Sequence, residues 1–295
     1  MDPSGDTWDM PDPPIPRVPD DWTVWAFTDT HGVTSGLLAG LHSAGILDDA
    51  LHWVGPPRTA LVGCGDYLDR GGDVRGLVAL LQRLQTDAAA AGGAVLLARG
   101  NHEAMPLMIR AGAHEWLDTW LEYGGDATMT SFDCAHDDTR DAPSVIARLE
   151  GCAPSLFDWL ERLPQAVRWR DVLFVHGGLP PGHALQDLGT TTDEHLWIRS
   201  GFFDTPWDAR QFGHYQAAGI ERVVFGHTPR WSGPTLFHDG RSLDIDTNAV
   251  GNPRMPSGAV QELTLLGLAG EGSFEHARLV TVPTADAPER MPRRS

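Results

Sequence analysis

The chain has 295 residues, 22 basic against 40 acidic side chains and a formal net charge of -18, which repels a phosphate backbone and excludes non-specific nucleic-acid binding. A hydrophobic content of 41% and a mean hydropathy of -0.23 allow a sizeable globular core, and no apolar stretch is long enough to span a bilayer. No lysine occurs, the three cysteines (Cys64, Cys134, Cys152) argue against a disulfide framework, and the start lacks the basic and apolar regions of a signal peptide, so a cytoplasmic protein without membrane partners is expected.

Residues 1–20 are rich in Pro and Asp and are expected to be disordered. The run Thr23–Thr28 is short, apolar and β-prone, and it ends at Asp29-Thr30-His31-Gly32. A helical pattern follows from Val33 to Leu47. The next strand, Ala60–Cys64, ends at Gly65-Asp66-Tyr67-Leu68-Asp69-Arg70-Gly71; Cys64 in that apolar run reads as a small core residue. A long helix, Asp73 to Ala91, has Leu77, Leu80, Leu81 and Leu84 at helical spacing and is stopped by Gly92-Gly93. A third strand, Ala94–Ala98, ends at Arg99-Gly100-Asn101-His102-Glu103.

From about 105 to 163 the pattern reads as a helical insertion, with Trp116, Trp120 and Trp159 and a Gly124-Gly125 turn. The sheet is expected to resume at Asp171–Val175, which ends at His176-Gly177-Gly178, and at Arg222–Phe225, which ends at Gly226-His227-Thr228-Pro229. Leu243–Asp246 and Ala259–Leu266 read as further strands of a second sheet, and residues 283–295 as a flexible tail. The fold class is therefore α/β: a two-sheet β-sandwich flanked by helices, one domain over residues 21–282.

Five polar motifs thus stand at the ends of apolar strands, the edge at which open α/β sheets hold ligands. Alone, an Asp before Gly or Thr reads equally as a turn or a helix cap, and a single His on an apolar strand as a core residue. Together Asp29, His31, Asp66, Asn101, His176 and His227 offer mixed carboxylate, amide and imidazole donors that suit divalent transition metals. Asp66 can bridge two ions, and glycines beside the motifs let the backbone pass close to them.

The five motifs resemble those of the calcineurin-like metallophosphoesterases, and more closely the phosphoprotein-phosphatase branch, over about Asp29 to Leu266. Asp69-Arg70 and Gly100-Asn101-His102-Glu103 are the more specific signals. The segments 120–132, 196–203 and 243–250 are similar to bacterial members, and 84–103 to Shewanella-like phosphatases; diadenosine-tetraphosphatase-related members share the motifs. Two positions depart from the pattern: Thr28 where Gly usually precedes the first Asp, and Asn248 where Gly is common.

The resemblance implies a binuclear centre of two divalent metal ions, Mn first, with Fe or Zn as alternatives. Asp29, His31, Asp66 and His227 would hold one ion, and Asp66, Asn101, His176 and a further His the other, with His176 and His227 interchangeable. His102 is implied as the catalytic acid, oriented by Asp69, and Arg70, Arg199 and Asn101 as phosphate-binding groups. A metal-bridging hydroxide would attack phosphorus. The implied activity is hydrolysis of phosphomonoesters, phosphoserine, phosphothreonine or phosphotyrosine in proteins, or small phosphate esters. The alternative is symmetrical cleavage of diadenosine tetraphosphate or of another nucleotide pyrophosphate at the same centre.

Overall fold

The structure, a computed structural model, describes residues 13–134, 140–190, 193–251 and 261–284. These form strands β1 (Arg17–Val18), β2 (Thr23–Phe27), β3 (Thr59–Gly63), β4 (Ala94–Leu97), β5 (Ala166–Trp169), β6 (Val172–Val175), β7 (Arg222–Phe225), β8 (Thr235–Phe237), β9 (Ser242–Asp244), β10 (Glu262–Leu268) and β11 (Arg278–Pro283). The helices are α1 (Thr34–Ala44), α2 (Val74–Ala90), α3 (Asn101–Arg110), α4 (Trp116–Trp120), α5 (Asp126–Ser131), α6 (Ala142–Cys152), α7 (Leu156–Glu161), α8 (Ser200–Phe203) and α9 (Ala209–Ala217).

Two mixed sheets face one another. One has the order β11-β10-β2-β3-β4 and the other β1-β5-β6-β7-β9-β8. Each contains a parallel trio, β2-β3-β4 in the first and β6-β7-β9 in the second. Alternation along the strands sorts the side chains into layers. Val24, Ala26, Ala60 and Val62 turn inward against Val172, Phe174 and Val224 of the facing sheet. Trp25, Phe27 and Leu61 turn outward onto α1 and α2, where they meet Leu37, Leu41, Leu77 and Leu81. On the far side, Leu173, Val175, Val223 and Phe225 pack on Phe202, Phe212 and Tyr215. At about 1.5–3 kcal/mol for each fully buried large apolar side chain, these layers hold the strand ends in place.

Local chemistry sets the helix limits. Asp73 caps α2 by accepting the Gly76 N–H at 3.1 Å, and Gly92, at φ +76°, lets the chain leave it. Among the described residues no helix is long and apolar enough to cross a membrane.

Several expectations need correction. β6 and β7 lie in the second sheet, with β1 and β5, rather than continue the first, and β10 returns to the first sheet beside β2. Only β9, of the late strands expected in a second sheet, lies there. The Pro-rich start is not disordered through residue 20: Arg17 and Val18 pair with β5, and Val18 is buried because it fills the interlayer. Residues 1–12 and 285–295, and Ala259 and Val260 of the expected last strand, lie outside the described residues. Cys134, just after α5, and Cys152, at the end of α6, are joined by a disulfide with Cα atoms 5.6 Å apart. This corrects the expectation that the three cysteines form no disulfide. Cys64 is buried, as the sequence reading expects, and burial pushes its thiol upward.

Candidate metal centre and active site

Parallel strands in both sheets end at one place, so five strand ends deliver polar side chains there. Asp29 and His31 follow β2, Asp66 follows β3, Asn101 starts α3 after β4, His176 follows β6 and His227 follows β7. All six are buried. The turns that carry them are tight: Asp29, His31, Asp66, Asp69, Arg70 and His227 have φ between +43° and +69°. Non-glycine residues in this region cost energy, and such strain concentrates at functional sites.

Glu103 ties two of these turns together. Its Oε1 accepts the N–H groups of Tyr67 and Leu68, and its Oε2 those of Asp66 and Gly100, at 2.8–3.0 Å. Burial and the Asp66 charge push its carboxyl up to about 7 against the pull of these donors. In the sequence Glu103 stands only as the last residue of a motif, and its clasping role appears with the fold. The two sheets are joined by further bonds. The His227 N–H and the Thr28 hydroxyl both donate to Asp29 Oδ2, at 2.9 and 2.6 Å, and His176 Nδ1 donates to the Cys64 carbonyl at 3.0 Å. Thr28, which departs from the family pattern, thereby orients the Asp29 carboxylate. The other departure, Asn248, has φ +66°, a conformation that Asn adopts more readily than most side chains.

The nitrogens available for ligation follow from the hydrogen bonds. His31 Nδ1 donates to the Leu68 carbonyl at 2.8 Å and its Nε2 accepts from Arg70 Nη1 at 2.9 Å. Burial, and then the Arg70 charge, hold His31 down to about 3, so it is neutral. His176 has its Nδ1 committed, which aims Nε2 at Asn101 Oδ1 (2.8 Å), Asp66 Oδ1 (3.3 Å) and His227 Nδ1 (3.2 Å). Those four atoms are all acceptors unless a proton or a cation stands among them. Burial disfavours charge on His176, but Asp66 and Asp29 outweigh it and raise its pKa to about 9. A proton on His176 satisfies the cluster near neutral pH, and a divalent metal ion fits the same donor set in its place.

Two sets of ligand atoms lie within 4.8 Å of one another, His31–Asp66–His102 and Asp66–His176–His227. Asp29 Oδ1 is 4.0 Å from His31 Nε2, on the first side. His227, expected with Asp29 and His31 but interchangeable with His176, has its Nδ1 3.2 Å from His176 Nε2 because β6 and β7 are adjacent in one sheet, while its backbone N–H donates to Asp29.

Beside these sets stands His102, with Nδ1 2.7 Å from Asp69 Oδ2 and Nε2 accepting from Arg70 Nη2 at 2.8 Å. Its Nδ1 is thus held by a carboxylate, where those of His31 and His176 are held by backbone carbonyls. Tyr123 is exposed with its ring centroid 6.3 Å from that of His102. Arg199 lies across the site, where its guanidinium donates to the His227 carbonyl and the Thr228 hydroxyl, at 2.8 and 3.1 Å. Its charge is felt by Asp29, Asp66 and Asp246. Asp246, a buried carboxyl pushed well up by burial and the Asp29 charge, has no site role in the sequence analysis, and neither do Trp120 and Thr128, both bonded to Asp69.

Comparison with known proteins agrees with this architecture. The calcineurin-like phosphoesterase family model matches residues 23–244. Serine/threonine-protein phosphatase 1 of Salmonella typhimurium (strain LT2) is 36% identical over 210 residues, covering 70% of this chain and 78% of that one. Shewanella-like protein phosphatase 2 of Arabidopsis thaliana is 28% identical over 274 residues, covering 75% and 70%. In fold, the chain is similar to a protein serine/threonine phosphatase from Saccharomyces cerevisiae, with a TM-score of 0.61, 16% identity and coverage of 94% and 86%. With the matched residues running from the first strand of the first sheet to the last parallel strand of the second, the chain belongs to the calcineurin-like phosphoesterases and is a metal-dependent phosphoric monoester hydrolase.

Proposed function

We propose that this chain is a binuclear phosphatase acting on phosphoserine and phosphothreonine in proteins, with phosphotyrosine as a further substrate. One observation carries the reading: a cluster of convergent carboxylate, amide and imidazole groups lies directly against a His102–Asp69 pair and the Arg70 guanidinium. The protein-phosphatase names of the two sequence relatives support the substrate class. Asp29, His31 and Asp66 would hold one ion, and Asp66, Asn101, His176 and His227 the other; Mn, Fe and Zn all suit these donors.

The ions would supply Lewis acidity and an oxygen nucleophile near neutral pH. The chain's own groups do the rest. Arg70 and Arg199, on opposite sides, present planar forks that match phosphate oxygens. The Asn101 amide, beside His102 at the α3 N-terminus, can donate to a third oxygen. With Asp69 holding Nδ1, His102 Nε2 would pass a proton taken up from the attacking water to the leaving oxygen.

The test is a turnover comparison of phosphoserine, phosphothreonine and phosphotyrosine peptides with diadenosine tetraphosphate, on enzyme whose metal content has been measured. Two ions per chain and preference for the peptides are expected. Preference for diadenosine tetraphosphate, or full activity of the metal-free chain, would overturn the reading.

A further inference from the structure

The insertion between β4 and β5 does more than cover the site, because it supplies every contact of Asp69 other than the His102 ring that the structure shows for its carboxylate. Trp120 Nε1 donates to both carboxylate oxygens, at 3.2 Å to Oδ1 and 3.0 Å to Oδ2. The Thr128 hydroxyl accepts the backbone N–H of Asp69 at 3.0 Å and returns its own proton to Oδ1 at 2.5 Å. All three side chains are buried, with relative exposures of 0%.

The polarity of this network is fixed by chemistry. An indole N–H can only donate. The Thr128 oxygen already faces the Asp69 N–H, so its proton is left for the carboxylate. Burial pushes the Asp69 carboxyl upward and the Thr128 hydroxyl opposes that push. With donors on both sides, Oδ1 has no room for a proton, and Oδ2 must accept from His102 Nδ1. That places the His102 proton on Nδ1 and leaves Nε2 as the exchangeable position, in agreement with Arg70 donating to Nε2 at 2.8 Å. The same segment seats Arg70: the Gly124 carbonyl accepts its backbone N–H at 3.1 Å and the Tyr123 carbonyl its Nε at 3.4 Å.

We propose that Trp120 and Thr128 are positioning residues for proton transfer, which fix the tautomer and orientation of His102 through Asp69. The proposal rests on the reading of His102 as the acid that protonates the leaving group. It follows that these two residues, remote from phosphorus, set how well the enzyme expels a poor leaving group. A phosphoserine leaves as an alkoxide that needs the proton. A 4-nitrophenolate is stable as an anion and needs little help.

The test uses full-length Mn-loaded enzyme with Thr128→Val, Thr128→Ser and Trp120→Phe, each checked for metal content and melting temperature. On a phosphoserine peptide, kcat should fall on the order of tenfold or more in Thr128→Val and Trp120→Phe, with KM little changed. On 4-nitrophenyl phosphate the same variants should lose much less. Thr128→Ser, which keeps the hydroxyl, should restore most of the peptide turnover. In a His102→Asn background, Thr128→Val should have no further effect, since the group it orients is gone. An equal loss on both substrates, or a Thr128→Val loss that persists undiminished in the His102→Asn background, would overturn the proposal. A wild-type enzyme without metal-dependent phosphatase activity would instead overturn the functional reading beneath it, so the two failures are distinguishable.

Discussion

His102 gives its Nδ1 to a buried carboxylate, Asp69, whereas His31 and His176 give theirs to backbone carbonyls, and this separates it from the ligand candidates. His102→Asn should therefore cut turnover by roughly 10²–10⁴-fold while metal analysis still finds two ions; loss of both ions would make it a ligand. His176 gives a pH prediction. Asp66 and Asp29 outweigh burial and raise its pKa to about 9, so below that pH an arriving cation must displace a proton. Mn affinity should rise as pH climbs toward 9, with proton release on binding. Calorimetry in buffers of different ionisation enthalpy measures this, and binding without proton release at pH 7 would remove His176 from the ligand set. The metal-binding candidates were legible in the sequence because each is a polar residue at the end of an apolar strand, a purely local signal. Which ring shares an ion with which was not. His227 lies beside His176 only because β6 and β7 pair, a contact across 51 residues that no motif encodes.

The helical insertion shows the same limit at the level of elements. Its helices and the Gly124-Gly125 turn could be read from tryptophan spacing and glycine, but its grip on Asp69 spans 51 and 59 residues. Trp120 and Thr128 read locally as ordinary helix residues. Gly124 is where that grip is most sensitive. It sits at φ +109°, and a Cβ there would lie 2.8 Å from the Arg70 nitrogen. Gly124→Ala combines backbone strain of about 1–3 kcal/mol with a push on Arg70. Both the melting temperature and inhibition by inorganic phosphate should weaken. A variant with unchanged phosphate inhibition would show that Arg70 is seated by other contacts. The first-sheet trio β2-β3-β4 and helices α1 and α2 matched their sequence expectations within a few residues, since apolar runs and glycine stops are local. The return of β10 to β2 was missed because the partner of a strand is decided by the whole sandwich.

The molecule as a whole places its candidate ligands on both sheets: Asp29, Asp66 and Asn101 come from the first, His176 and His227 from the second. Ions bound there would bind the folded sandwich and not the open chain. Saturation at about a hundred times Kd adds about 2.7 kcal/mol, so EDTA should lower the melting temperature by about 5 °C or more. A melting temperature indifferent to chelator would argue that the ions do not couple the sheets. The two sheets also end in four edge strands, β1, β8, β4 and β11, each a row of backbone groups that another chain could extend. Three of them are punctuated by proline: Pro16 and Pro19 flank β1, Pro234 precedes β8, and Pro283 closes β11. Proline has no N–H to offer an incoming strand, so these edges are short templates for intermolecular pairing, and resistance to aggregation is built into the borders of the same sheets that carry the chemistry.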